Sequence, residues 1–129
     1  QIECPVGLSL MADEKLVRRA LNNLIVNAQK YAERLILIRA YVLNKSVIFE
    51  VHDDGSGVPE KYRESIFLPF ARVDDSRSRQ SGGHGLGLSI VERIVSNHCG
   101  KVSVSDSQLG GALFTLELPL FQDNEDSQP

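Results

Sequence analysis

Cysteine is scarce in this chain: Cys4 and Cys99 are its only two, far apart in the sequence and in no paired spacing. That excludes a disulfide scaffold and favours a reducing compartment. Histidine is sparse too, and His52, His84 and His98 show none of the short ligand spacings of a zinc site. Positive charge is not in excess. Lys plus Arg total 14 against 17 for Asp plus Glu, a net charge of −3, so no global basic field would hold a nucleic acid. The longest apolar stretch, Leu35 to Leu43, is broken by Arg39 and falls far short of the ~20 residues that cross a bilayer. There is no secretory signal, no initiating methionine (the single Met is Met11) and no internal repeat. The chain therefore reads as a fragment of a longer protein. No Ser/His/Asp order and no paired carboxylates suggest a hydrolase.

What is present is a core. Hydrophobic residues make up 42% and charged residues 24% of 129, enough for one domain that buries roughly two-thirds of its unfolded surface. Residues 1–121 read as that domain and the polar stretch 122–129 as a disordered tail. Leu16, Val17, Ala20, Leu21, Leu24, Ala28 and Ala32 recur at helical spacing, predicting an amphipathic helix from Asp13, its N-cap or a first-turn residue, to Glu33. A second helix is expected from Gly87 to Cys99, with Ile90, Val91, Ile94, Val95 and His98 inward and Gly100 as its left-handed stop. Two hairpins are expected. One joins 34–43 to 46–53 around Asn44-Lys45, and the other joins 101–107 to 112–118 through Leu109-Gly110-Gly111. A short edge strand is expected at Leu8–Met11, a short helix at Glu60–Ile66 and a polar loop over 71–85. Together these predict a two-layer α/β sandwich, with helices on one face of a mixed, largely antiparallel sheet.

Three blocks carry chemistry. Asn23, Asn27 and Lys30 fall within about 60° of one another on one helix stripe. A carboxamide at the border of the buried face is either satisfied by neighbours or aimed, with the ammonium, at a cation and a phosphate. Asp53-Asp54-Gly55-Ser56-Gly57-Val58-Pro59 follows an apolar strand. It is either a plain turn or a place where a flat ligand meets the backbone while Asp53 accepts from an exocyclic amine. Gly82-Gly83-His84-Gly85-Leu86-Gly87-Leu88-Ser89 leads into the second helix, whose free N–H groups attract phosphate. It fits neither a P-loop, because Leu88 stands where Lys is needed, nor a dinucleotide fingerprint. Arg72, Arg77 and Arg79 precede it, either as phosphate clamps or as partners of Asp74 and Asp75 on a solvated loop. Phe67 and Phe70 around Pro69 read as packing at the base of that loop, and His98 as a core histidine.

In order and spacing the blocks resemble the catalytic, ATP-binding domain of sensor histidine kinases. Leu21 to Ala32 is similar to their N-box, Asp53 to Gly57 to their first glycine box, Ile66 to Phe70 to their F-box, and Gly83 to Leu88 to their second glycine box. The resemblance covers residues 8–120 and implies the Bergerat fold. It also implies an ATP site made of Asn23, Asn27, Lys30, Tyr31, Asp53, Gly55, Gly57, Val58, Phe67, Arg72, Arg77, Gly83, His84, Gly85, Leu86, Gly87 and Leu88. Within it Asn27 would coordinate Mg²⁺, Lys30 would contact phosphate, Asp53 would read the adenine amine, and Arg77 would lie nearest the terminal phosphate. Asp54 departs from the family's common Asn, Ser56 from Pro, and Cys99 from a second Gly.

The resemblance further implies partners: a dimerisation and histidine-phosphotransfer domain of the parent protein, and through it a response regulator. No nucleic acid is implied. The fragment is expected to be a monomeric cytoplasmic domain, and its parent a homodimer anchored in a bacterial inner membrane. None of the three histidines has the acidic neighbour and helical setting of the family's phosphoacceptor, so the acceptor is expected outside this chain. The rival readings are an ATPase of the same superfamily or an ATP-sensing module. The ATPases place a Glu one turn before the metal-binding Asn, as general base for water, and this chain has Asn23 there.

Overall fold

The computed structural model describes residues 14–69 and 87–120. Helix α1 runs over Glu14–Tyr31, with Glu14 in its first turn and Lys30 in its last, as the helix dipole favours. Ala20, Leu24 and Ala28 form its buried stripe. Leu16, expected inward, is 38% exposed. Strands β1 (Ile36–Leu43) and β2 (Ser46–Asp53) pair antiparallel with Leu43 opposite Ser46. Their two-residue turn takes positive φ at both Asn44 (53°) and Lys45 (64°), the geometry that matches the twist of a hairpin.

Two 3-10 turns follow, Glu60–Tyr62 and Ser65–Phe67, where a single short helix was expected. Helix α2 (Gly87–Asn97) then leads to β3 (Lys101–Asp106) and β4 (Ala112–Pro119). The sheet order is β1-β2-β4-β3, and every pairing among the described residues is antiparallel. The expected elements at Leu8–Met11, 71–85 and 122–129, and the Asp13 cap, lie outside the described residues.

The core lies between the two helices and one face of the sheet. β4 alternates strictly, burying Ala112, Phe114, Leu116 and Leu118. These meet Leu24 of α1, Val91, Ile94 and Val95 of α2, Val51 of β2 and Val104 of β3. Phe67 stands edge-on to Phe114, ring centroids 6.1 Å apart, so the expected packing role holds for it; Phe70 is outside the described residues. His98 is buried, and its Nδ1–H donates to the Ile94 carbonyl at 2.7 Å, as a core histidine should.

The stop of α2 differs from expectation. Cys99, not Gly100, takes the left-handed conformation (φ 62°). Gly100 N–H bonds the Val95 carbonyl and Cys99 N–H bonds Ser96, a Schellman cap set one residue earlier. Gly100 is required instead by crowding: a Cβ there would lie 2.1 Å from the Glu117 carbonyl oxygen. Cys99 is not a free thiol. The expectation of a reduced thiol fails at this position.

Candidate functional site

β2 delivers Asp53 to the end of the sheet, where it is only 2% exposed. Its Oδ1 accepts two backbone hydrogen bonds, from Gly55 N–H at 2.8 Å and from Ala112 N–H at 3.1 Å. Its carbonyl accepts a third, from Gly111 N–H at 3.1 Å. Oδ2 accepts none among the described residues. One oxygen of a nearly buried carboxylate is therefore locked by the fold, and the other is left as an acceptor for something else.

Glycines make this arrangement possible. A Cβ on Gly111 would lie 2.2 Å from Asp53 Oδ1, and one on Gly55 would lie 2.2 Å from the Tyr31 carbonyl oxygen. Gly57 is required by its backbone, at φ +79°; what surrounds it within the chain is at ordinary contact distance. Val58 and Phe67 pack against the core beside this turn.

Sequence reasoning missed two contributors. Asp54 was noted only as a departure from Asn. Its carboxylate accepts from Glu33 N–H (2.8 Å) and Arg34 N–H (3.0 Å), and these bonds hold its carboxyl below the usual carboxylate range. The same bonds explain why α1 stops at Tyr31 rather than Glu33: the next amides turn to Asp54 instead of to the helix. Gly111 was read only as part of a hairpin turn. A second consecutive glycine, where one positive-φ residue (Gly110) suffices, was the signal.

The second group of candidate site residues lies on α1. Asn23, Asn27 and Lys30 share its stripe as the spacing required, the two Asn half-buried and Lys30 exposed. Asn23 Nδ2 donates to the Gly87 carbonyl at 3.3 Å, tying the stripe to the first residue of α2. Asn27 and Lys30 make no hydrogen bond or ion pair among the described residues. A Cβ on Gly87 would meet nothing within 4 Å among the described residues. Leu88 packs on the core. Tyr31 joins the two ends, its carbonyl lying under Gly55. Arg72, Arg77, Gly83, His84, Gly85 and Leu86 lie outside the described residues. Among the described residues, no group of three or more His, Cys, Asp or Glu could hold a metal ion, and no helix is long and apolar enough to cross a membrane.

Comparison with known proteins identifies the family. The family model described as histidine kinase-, DNA gyrase B-, and HSP90-like ATPase matches residues 12–122. The sensor histidine kinase CpxA of Escherichia coli (strain K12) is 41% identical over 113 residues, which is 88% of this chain and 25% of that protein. The chain thus spans about a quarter of that relative's length. Among solved structures, full-length ShkA in complex with AMPPNP superposes with a TM-score of 0.73 at 34% identity, over 85% of this chain and 22% of that one. The ATP-binding domain of PrrB from Mycobacterium tuberculosis superposes with a TM-score of 0.65 at 33% identity, over 81% of this chain and 67% of that one. The chain belongs to the histidine kinase-, DNA gyrase B- and HSP90-like ATPase family, and its fold is that of the ATP-binding domains of sensor histidine kinases.

Proposed function

We propose that this chain binds ATP between Asp53 and the Asn27–Lys30 stripe and presents the γ-phosphoryl group to a histidine on a separate phosphotransfer domain. The observation that carries the reading is Asp53: nearly buried, its Oδ1 held by two backbone amides and its Oδ2 open. That oxygen suits an exocyclic amine, which adenine has and guanine lacks at the corresponding edge. Lys30, without an ion pair among the described residues, supplies an ammonium for a phosphate oxygen. The half-buried carboxamide of Asn27, without a hydrogen bond among the described residues, fits the small number of protein ligands that Mg²⁺ takes beside phosphate and water. Bound there, Mg²⁺ would neutralise charge on the phosphates. Arg77 and Gly83 to Gly85, by the family resemblance, would complete the phosphate side.

The ATPase alternative is disfavoured by Asn23. Its side chain is an amide that cannot take a proton from water, and it is engaged with the Gly87 carbonyl. Transfer to a neutral imidazole needs no such base, only alignment. The wider setting implied by the family resemblance is a dimeric, membrane-anchored kinase whose phosphohistidine supplies a response regulator.

The test is labelling. With γ-labelled ATP and Mg²⁺ the purified chain should stay unlabelled, and a supplied histidine phosphotransfer domain should gain an acid-labile label. Stoichiometric label on the chain alone, or phosphate release at the same rate with and without the acceptor, would overturn the proposal.

A further inference from the structure

His52 sits directly before Asp53, on the opposite face of the sheet, and is 3% exposed. It is not part of the proposed nucleotide contacts, yet both ring nitrogens are engaged. Nδ1 lies 2.8 Å from Ser107 Oγ, and Nε2 lies 3.0 Å from Glu50 Oε1. Glu50 also accepts the Tyr41 hydroxyl at 2.6 Å through Oε2. The Tyr41 and His52 bonds hold its carboxyl below the ordinary range.

An ionised carboxylate only accepts, so Nε2 carries a proton, and in the neutral ring Nδ1 is the acceptor. Ser107 then donates its one hydroxyl hydrogen to Nδ1, while its Oγ accepts Leu109 N–H at 2.9 Å. Every donor in this buried chain has an acceptor.

The far end of the chain is the turn behind Asp53. Ser107 N–H bonds the Gly111 carbonyl at 2.8 Å, and Gly110 N–H bonds the Ser107 carbonyl at 2.9 Å. The next two amides, Gly111 and Ala112, are those that bond Asp53. Two neighbouring residues of β2 therefore grip one turn from the two faces of the sheet, His52 through Ser107 and Asp53 through the amides.

We propose that His52 is a positioning residue for the base: through Ser107 it fixes the 107–111 turn, and with it the Gly111 amide that holds the Asp53 carbonyl and the Ala112 amide that helps lock Asp53 Oδ1. The inference rests on Asp53 as the base reader.

Ser107→Ala and His52→Phe remove the link while keeping the volume apolar. NMR titration should show each variant binding adenosine about tenfold more weakly, the equivalent of about 1.4 kcal/mol. Mg²⁺-tripolyphosphate, which engages only the phosphate side, should bind as before. The Gly111 and Ala112 amides should exchange faster in both variants, and two variants keep the test open should one fold poorly.

Unchanged adenosine affinity would overturn the proposal, as would equal losses for adenosine and tripolyphosphate, which mark general damage. Asp53→Asn separates the two levels. If it weakens adenosine binding and the network variants do not, the positioning role fails and the base-reader reading stands. If Asp53→Asn has no effect, both fail.

Discussion

Asp53→Asn is a test that the geometry makes unusually specific. An amide has one accepting and one donating end, and the site decides which goes where. The Oδ1 position faces Gly55 N–H and Ala112 N–H, at 2.8 and 3.1 Å. A donor there would oppose two donors, so the amide oxygen takes that place and the NH₂ group falls at the Oδ2 position. The fold keeps both backbone hydrogen bonds. The ligand does not: the exocyclic amine of adenine now meets a donor. Losing a hydrogen bond to a charged acceptor and leaving donors opposed costs about 1.5–3 kcal/mol, roughly 10- to 150-fold in affinity. Guanine offers a carbonyl at that position, so the preference for ATP over GTP should narrow as well. Asp53→Ala is the contrasting perturbation. It strands two amides behind a buried side chain, at about 1–3 kcal/mol each, and so should lower stability as well as binding. Calorimetric titration with ATP and GTP in Mg²⁺, alongside urea unfolding of each variant, separates the two effects. If Asp53→Asn binds ATP within twofold of the parent, or the unmodified chain binds ATP and GTP equally, the assignment of Asp53 is refuted.

Three further outcomes are expected. Gly111→Ala would place a methyl 2.2 Å from Asp53 Oδ1 and 2.5 Å from Gly55 N, so urea unfolding should show a loss of about 1–3 kcal/mol; an unchanged midpoint would mean the turn yields freely. Asn27→Ala should abolish the Mg²⁺ dependence of ATP binding while unfolding stays cooperative, and transfer to a histidine domain at the parental rate would contradict its metal role. The Asp54 carboxyl is held low by backbone amides. Its stabilising contribution is therefore present above the ordinary carboxylate range and lost as pH falls through its lowered folded value. Asp54→Asn should flatten that acid limb, and an acid unfolding profile identical to the parent's would count against it.

The two helices and both hairpins were legible because their signals are local. Three-and-four spacing marks α1 and α2, and alternation marks β4. What failed was detail that depends on distant atoms. Nothing near Gly100 reveals that the Glu117 carbonyl approaches it, so the glycine was taken as the left-handed residue, a role that Cys99 fills. Likewise α1 was drawn two residues too long, because the acid that captures its trailing amides, Asp54, stands 21 residues from Glu33. Asp53 could be singled out from its strand end and following glycines. Which of its oxygens is free could not, because Ala112, the residue that helps decide it, is 59 positions away.

That separation in sequence corresponds to a division of labour in the site. At the proposed base end, Asp53 Oδ1 is matched within the protein by Gly55 and Ala112, and the Asp53 carbonyl by Gly111. At the phosphate end, Asn27 and Lys30 make no such bonds among the described residues, although they stand on the same helix as the buried Leu24 and Ala28. A pocket closed by its own hydrogen bonds binds a flat, nearly neutral base with little reorganisation, and its worth lies in discrimination. Unpaired polar groups on a rigid helix gain most from a ligand that brings charge. Base identity should therefore be decided by β2 and the turn behind it, and the strength of binding by the triphosphate on α1. Adenosine should show the selectivity of ATP without its affinity, and tripolyphosphate should retain much of the affinity without any selectivity.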